Sequence, residues 1–351
     1  MYKRIFMGIA AAAALTLVSC SSEDLNSVSD NSSKNEAISF DGYLGRSAVA
    51  VNGSRGSELT KDALKGGATG GFGVFGNYKK DAGQEFGSNW FDNVKVFWSS
   101  TDKKWTYNPV QYWLPQGHID FLAYAPYDSK YDTKVTKDNQ KLDFTVNSII
   151  KDQKDLLWAN ATNQTKTNNP VTFTFNHALA KIGYTVKTNV VGTTTITLNK
   201  ITLAGSTTDP ATGAFYTKGT IDLSKVNKAT DLWTNFEGKQ HFTWFTGSQS
   251  LTSTSIFNNP KTDYLFVIPQ NFSTGTDKLY VIVDYTINYN TGVSSTMETN
   301  VYKQLKQEFK QGKAYTINLT IGLTPIDFDA EVTPWTDTDN PNTDIDIKTW
   351  E

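Results

Sequence analysis

Cysteine occurs once in the 351 residues, at Cys20. A chain with one thiol cannot close an internal disulfide, so its body must be held by burial and hydrogen bonding even in an oxidising compartment. Arginine is nearly as scarce: among 33 basic residues only Arg4, Arg46 and Arg55 are arginine. The three histidines, His118, His177 and His241, lie far apart with no cysteine beside them. Neither a zinc site nor a Cys-His nucleophile pair is therefore spelled out. A formal net charge of -2 gives no electrostatic footprint for nucleic acid. The apolar run from Ile5 to Val18 falls short of the roughly 20 residues a membrane helix requires.

That run has a use all the same. Lys3 and Arg4 precede it, giving the charged front and short apolar middle of an export signal over residues 1–19. Leu17-Val18-Ser19-Cys20 resembles the lipobox of bacterial lipoproteins, which implies lipidation of Cys20 and cleavage before it. Each buried methylene of an acyl chain adds about 0.8 kcal/mol of membrane affinity, so several chains make a durable anchor. Removing Lys3 and Arg4 with the signal leaves 31 basic against 35 acidic residues, a net charge of -4. Residues 20–36, Ser/Asn-rich and aperiodic, read as a disordered tether. Within it Glu23 and Asp24 resemble the short signal that sends Bacteroidetes lipoproteins to the cell surface.

Beyond the tether, strand signals dominate. The runs 171–175, 195–205, 263–269, 278–287 and 314–323 alternate apolar with polar residues and are rich in Val, Ile, Thr, Tyr and Phe. Asn, Gly, Asp, Ser and Thr clusters separate them. Helical spacing is confined to 178–182 and 302–313. The pattern predicts an all-β chain of sandwiches with few short helices. The most polar break, 161–170, sets the expected boundary between one domain at 37–168 and another at 169–351.

A search for chemistry finds little. His177, at the end of a strand run, reads as a hydrogen-bonding or packing residue rather than a base. The glycine-rich 66–73 lacks the lysine and hydroxyl residue of a phosphate loop and precedes a strand. The acids of 337–346 suggest calcium, but Pro341 occupies the fifth position of an EF-hand register and Asn342 the sixth, where glycine belongs. No local motif pairs two carboxylates across a glycosidic bond. The expectation is a non-enzyme without cofactor or metal.

The arginines point elsewhere. Without Arg4, both lie between the first expected strand, 37–45, and the strand 72–78. Arg55 has small neighbours, Ser54 and Gly56, in a stretch of the kind proteases cut, while Arg46 follows the strand directly. Cleavage at either would release the lipidated tether with the first strand, exposing unpaired backbone groups beside an apolar groove. Another chain could fill that groove by strand addition. A donor is available in 344–350, where Ile345 and Ile347 share a face and Trp350 follows.

In that order, residues 37–46, 72–78, 105–127, 155–160, 171–186, 263–270, 312–323 and 332–335 resemble the fimbrillins, subunits of the type V pili of Bacteroidales, and among them the fimbrillin-like surface lipoproteins. The resemblance implies two transthyretin-like β-sandwich domains, export as a lipoprotein and arginine-specific removal of the first strand at Arg46 or Arg55. It further implies donor-strand assembly with other pilus subunits into a stalk or tip at the outer membrane surface, with membrane attachment through lipid alone. Implied partners are lipoprotein-processing enzymes, an arginine-specific protease and a host or bacterial surface glycan or protein. The alternative is a permanently anchored glycan-binding lipoprotein, suggested by the aromatic density of 89–113, which includes Trp98, Trp105 and Trp113.

Overall fold

The computed structural model describes residues 36–44, 59, 61–66, 70–80, 89–136, 138–225, 231–254, 256–257, 264–289, 292, 294–323 and 327–334. The first part of the chain forms β1 (Phe40–Leu44), a short helix α1 (Lys61–Lys65), β2 (Phe72–Lys79), β3 (Asn89–Ser99), β4 (Lys104–Thr106), β5 (His118–Ala125), β6 (Lys141–Thr145), β7 (Leu157–Gln164) and β8 (Val171–His177). Then follow β9 (Ala180–Thr188), β10 (Thr195–Ala204), β11 (Phe215–Asp222), β12 (Trp233–Gln240), β13 (Phe242–Leu251), β14 (Ile256–Phe257) and β15 (Leu265–Val267). The last elements are β16 (Gln270–Asn271), β17 (Tyr280–Asn288), β18 (Thr296–Gln304), β19 (Glu308–Phe309), β20 (Lys313–Ile321) and β21 (Asp327–Pro334).

The first sheet has seven strands in the order β1-β8-β7-β5-β2-β3-β4. Two-residue periodicity explains why it buries both faces. Phe72 and Val74 of β2 and Phe121 of β5 join a core with Ile38, Phe40, Phe91 and Phe173. Their alternating neighbours Phe75, Leu122 and Tyr124 join a second core with Trp158, Leu142 and Phe144 of β6, and Trp233 of β12. Gly76 makes room for the first core: a Cβ there would stand 2.8 Å from the Phe121 ring and 2.9 Å from that of Phe91. The third core lies between the β13-β10-β17-β18 and β14-β9-β20-β21 sheets, where Ile196, Leu198 and Ile201 meet Ile182, Ile317 and Leu319.

The chain is all-β, as its alternation predicts. Strand pairing crosses the expected boundary at 168/169. Val171–His177 belongs to the first sheet, pairing with β7 at Leu157↔His177 and Trp158↔Asn176, and β6 pairs with β11 from Lys218↔Thr145 to Asp222↔Lys141. The polar stretch 161–170 is the end of β7 and its connection to the neighbouring strand β8 of the same sheet, so its polarity reflects solvent at a strand end and turn rather than a change of domain. Neither helix-like spacing forms a helix. Ala180 and Ile182 lie in β9, and 302–313 is divided among the end of β18, β19 and the start of β20. Burial of Ala180, Ile182, Leu305 and Phe309 in the third core outweighs a helical propensity of a few tenths of a kcal/mol per residue.

Candidate functional site

The first sheet rolls until its edges meet, and residues 36–44 are the segment that joins them. On one side Ile38 N donates to Gln111 O at 2.9 Å and Trp113 N donates to Glu36 O at 2.9 Å, around an antiparallel bridge of Ala37 with Tyr112. On the other, β1 runs parallel to β8 from Phe40↔Val171 to Leu44↔Phe175, with Val171 N donating to Ser39 O at 2.8 Å. Backbone pairing thus reaches both sides of the segment, toward Gln111–Trp113 at Glu36–Ile38 and toward β8 at Ser39–Leu44.

Side chains two residues apart fix the segment. Ile38 and Phe40 are buried, whereas Ala37 and Asp41 are exposed. The Phe40 ring stands 5.3 Å from those of Tyr107 and Phe121, 5.5 Å from Phe91 and 5.7 Å from Phe173. Three of the four contacts are edge-on or tilted, the geometry that aligns positive ring edges with negative faces. Burying Ile38 and Phe40 supplies about 1.5–3 kcal/mol each.

Two polar residues grip the same backbone. Asn169 uses its whole amide: Oδ1 accepts from Ser39 N and Ser39 Oγ, both at 2.9 Å, while Nδ2 donates to Glu36 Oε1 at 2.7 Å and to Ala37 O at 3.1 Å. Tyr107 Oη donates to Ile38 O at 2.8 Å. Asn169→Ala is expected to lower the unfolding free energy by about 1–2 kcal/mol, since four partly solvated bonds are lost together. It should also quicken cleavage after Arg46 or Arg55 by trypsin; an unchanged cleavage rate would show that the amide does not hold the segment.

Burial pushes the Tyr107 hydroxyl up to about 12 from its ordinary 10.0, against a lowering contribution from its hydrogen bond with the Gln111 backbone. Burial likewise raises Tyr315 to about 12. A raised phenol means that the folded state resists ionisation while the unfolded chain ionises from pH 10. Their stabilisation is thus complete below pH 10 and is lost as pH rises from 10 to 12. Urea midpoints should fall across that window, and Tyr107→Phe should flatten part of the fall. A pH-independent midpoint from 9 to 12 would contradict this.

After the arginine window the chain is anchored again. Leu59 N donates to Asp155 Oδ2 at 3.3 Å, and the same oxygen lies 2.7 Å from His177 Nδ1. Asp155 is fully buried. His177 is therefore a hydrogen-bonding residue, as its position in the sequence suggests. Leu64 of α1 is buried, and Lys65 Nζ sits 3.7 Å over the Trp98 ring.

The sequence-predicted site residues Cys20, Arg46, Arg55, Ile345, Ile347 and Trp350 lie outside the described residues. β1 ends two residues before Arg46, and Leu59 follows Arg55 by four. Sequence reasoning missed Asn169 and Tyr107. Asn169 sits in the stretch read as a domain break, and nothing local marks a side chain that binds a segment 130 residues away. Of the aromatics suggesting a sugar platform, Trp105 and Trp113 are core residues and Trp98 packs on Trp105 at 5.5 Å.

A family model described as fimbrillin-like matches residues 61–335, a span that begins after Arg55 and ends before Ile345. The chain is 28% identical over 386 aligned residues to the fimbrium subunit Fim1C of Phocaeicola vulgatus, covering 96% of this chain and 97% of that one. Its fold is similar to the crystal structure of a fimbrial protein from Bacteroides vulgatus, at 23% identity and a TM-score of 0.63, covering 86% of this chain and 100% of the other. The rolled sheet, the second pair of sheets and the match across most of the sequence agree: the chain belongs to the fimbrillin-like family.

Proposed function

We propose that this protein is a structural and adhesive subunit of a cell-surface pilus, made as a lipoprotein anchored at the outer membrane through Cys20. An arginine-specific protease cuts after Arg55 or Arg46, and the loss of β1 opens a groove that a neighbouring subunit fills. The observation that carries this reading is the closing segment 36–44. It closes the first sheet by backbone pairing on both sides, it buries Ile38 and Phe40 in the first core, and Arg46 and Arg55 both follow it before Leu59. The family and the similarity to Fim1C, a fimbrium subunit, support the placement in a pilus.

In this reading the core around Phe40 and the core around Ile201 correspond to the family's two transthyretin-like units. The donor is the tail carrying Ile345 and Ile347, whose two-residue spacing equals that of Ile38 and Phe40. A stalk position uses both the opened groove and the donor tail, whereas a tip position uses one of them together with a binding surface.

The test is the N-terminal sequence and lipid mass of the protein taken from cells. A lipid-free chain starting at Ser47 or Gly56 is the expected result. An acylated Cys20 as the mature end would instead make the protein a permanently anchored lipoprotein. Cys20→Ala should abolish palmitate labelling and surface display, and retained labelling would move the anchor elsewhere.

A further inference from the structure

Ser148–Lys151, which enters a 3₁₀ turn at Ile150–Asp152, faces the bend where β12 runs into β13 across a cleft of about 410 Å³. That is the size of a small-ligand site. Gln240 Nε2 donates to Ser148 O at 2.8 Å and ties the two walls together, so the cleft is formed in advance of any ligand. Trp244 lines it, braced from behind by Tyr184 at 5.0 Å.

The polar groups around this aromatic are uncommitted. Among the described residues, Ser148 Oγ, Thr243 Oγ1, Gln240 Oε1 and the His241 ring make no hydrogen bond, and Lys151 makes no ion pair. Other exposed lysines, such as Lys239 and Lys310, hold carboxylates. No carboxylate lines the cleft, and Asp152, next to Lys151 in the chain, lines a different cavity. A flat aromatic suits the apolar C–H face of a pyranose, hydroxyl and amide groups suit its hydroxyls, and an unneutralised ammonium favours an anion.

We infer that this cleft binds a carboxylated sugar of the uronic or sialic type. The inference deepens the adhesive side of the pilus reading and rests on it. The site is distinct from the aromatic stretch 89–113.

The experiment is a titration of the mature chain from cells with glucuronic acid, N-acetylneuraminic acid and glucose, followed by tryptophan fluorescence and NMR. Saturable binding of an acid sugar is expected, with a Kd on the order of millimolar and at least about fivefold tighter than for glucose. Lys151→Gln, at an exposed position that should leave the unfolding midpoint unchanged, should erase that preference. Trp244→Ala should abolish binding, and if it unfolds the chain Thr243→Val should weaken binding instead. Equal binding of glucose, no saturation, or indifference to Lys151→Gln would overturn the site, as would tighter binding of a peptide of the chain's own residues 342–351, NTDIDIKTWE. Immunogold labelling of pili separates the two readings: absence of the chain from pili ends the pilus reading whatever the sugar result, whereas a pilus-borne chain that ignores acid sugars ends only this site.

Discussion

Phe40→Ala is expected to lower the unfolding free energy by about 3–5 kcal/mol, the range for emptying a large aromatic site in a core that cannot collapse around it. Phe40 is 4% exposed, and its neighbours Tyr107, Phe121, Phe91 and Phe173 are themselves buried rings on four different parts of the rolled sheet. Rigid aromatics on β3, β5, β8 and the stretch after β4 cannot all move toward one missing ring without breaking their own contacts. Asp41→Ala, one residue on and exposed, should change stability by less than about 0.5 kcal/mol. The contrast between the two, read from urea midpoints on one preparation, tests whether the strand is pinned by its inward face. A Phe40→Ala loss below about 1 kcal/mol would mean that the sheet closes without this side chain. The same energetics bears on function, because a socket that costs this much when empty is one a partner's side chain gains by filling.

Much of the architecture was legible because alternation reports burial face by face. Val171, Phe173 and Phe175 of β8 point inward between exposed Thr172 and Thr174, and the run at 171–175 reads as a strand from that spacing alone. β20 repeats the pattern with Tyr315, Ile317, Leu319 and Ile321. Pairing is another matter, since period two names the face and leaves the neighbour open. Nothing in Glu36–Ser39 announces that it will bond Gln111–Trp113 on one side and Asn169 on the other; those contacts span about 70 and 130 residues and arise only once the sheet has rolled. The polar stretch 161–170 misled for a related reason: a turn between adjacent strands and a linker between domains share a composition. The helical spacing near Leu305 and Phe309 yielded to burial in the third core, while α1 carried too few residues to show a period at all. The acid-sugar cleft joins residues 148–151 to 240–244, and neither segment alone has a motif.

Removing residues 344–351 is expected to abolish polymers of the mature chain while leaving its unfolding midpoint unchanged. β21 lies at the edge of its sheet, pairs with β20 from Thr320↔Asp327 to Lys313↔Pro334, and ends at Pro334. From there residues 335–351, at about 3.3 Å each when extended, reach about 55 Å, enough to cross to a neighbouring subunit of this size. After Trp335 the stretch is acidic and polar until Ile345 and Ile347, so the apolar side chains of 336–351 stand at the far end of the reach. In an acceptor that has lost β1, the backbone edge of β8 and the sockets of Ile38 and Phe40 offer a strand-addition site with matching two-residue spacing. Ile347→Asp should therefore act nearly as strongly as the truncation, because a buried unpaired carboxylate in an aromatic socket costs more than the backbone bonds can return. Sedimentation of the arginine-cleaved chain, with electron microscopy of the pellet, reads both variants. Polymers from the truncated chain would exclude this tail as the donor and shift attention to another strand. Monomers from the truncated chain and polymers from Ile347→Asp would place the anchoring on Ile345 or Trp350 instead.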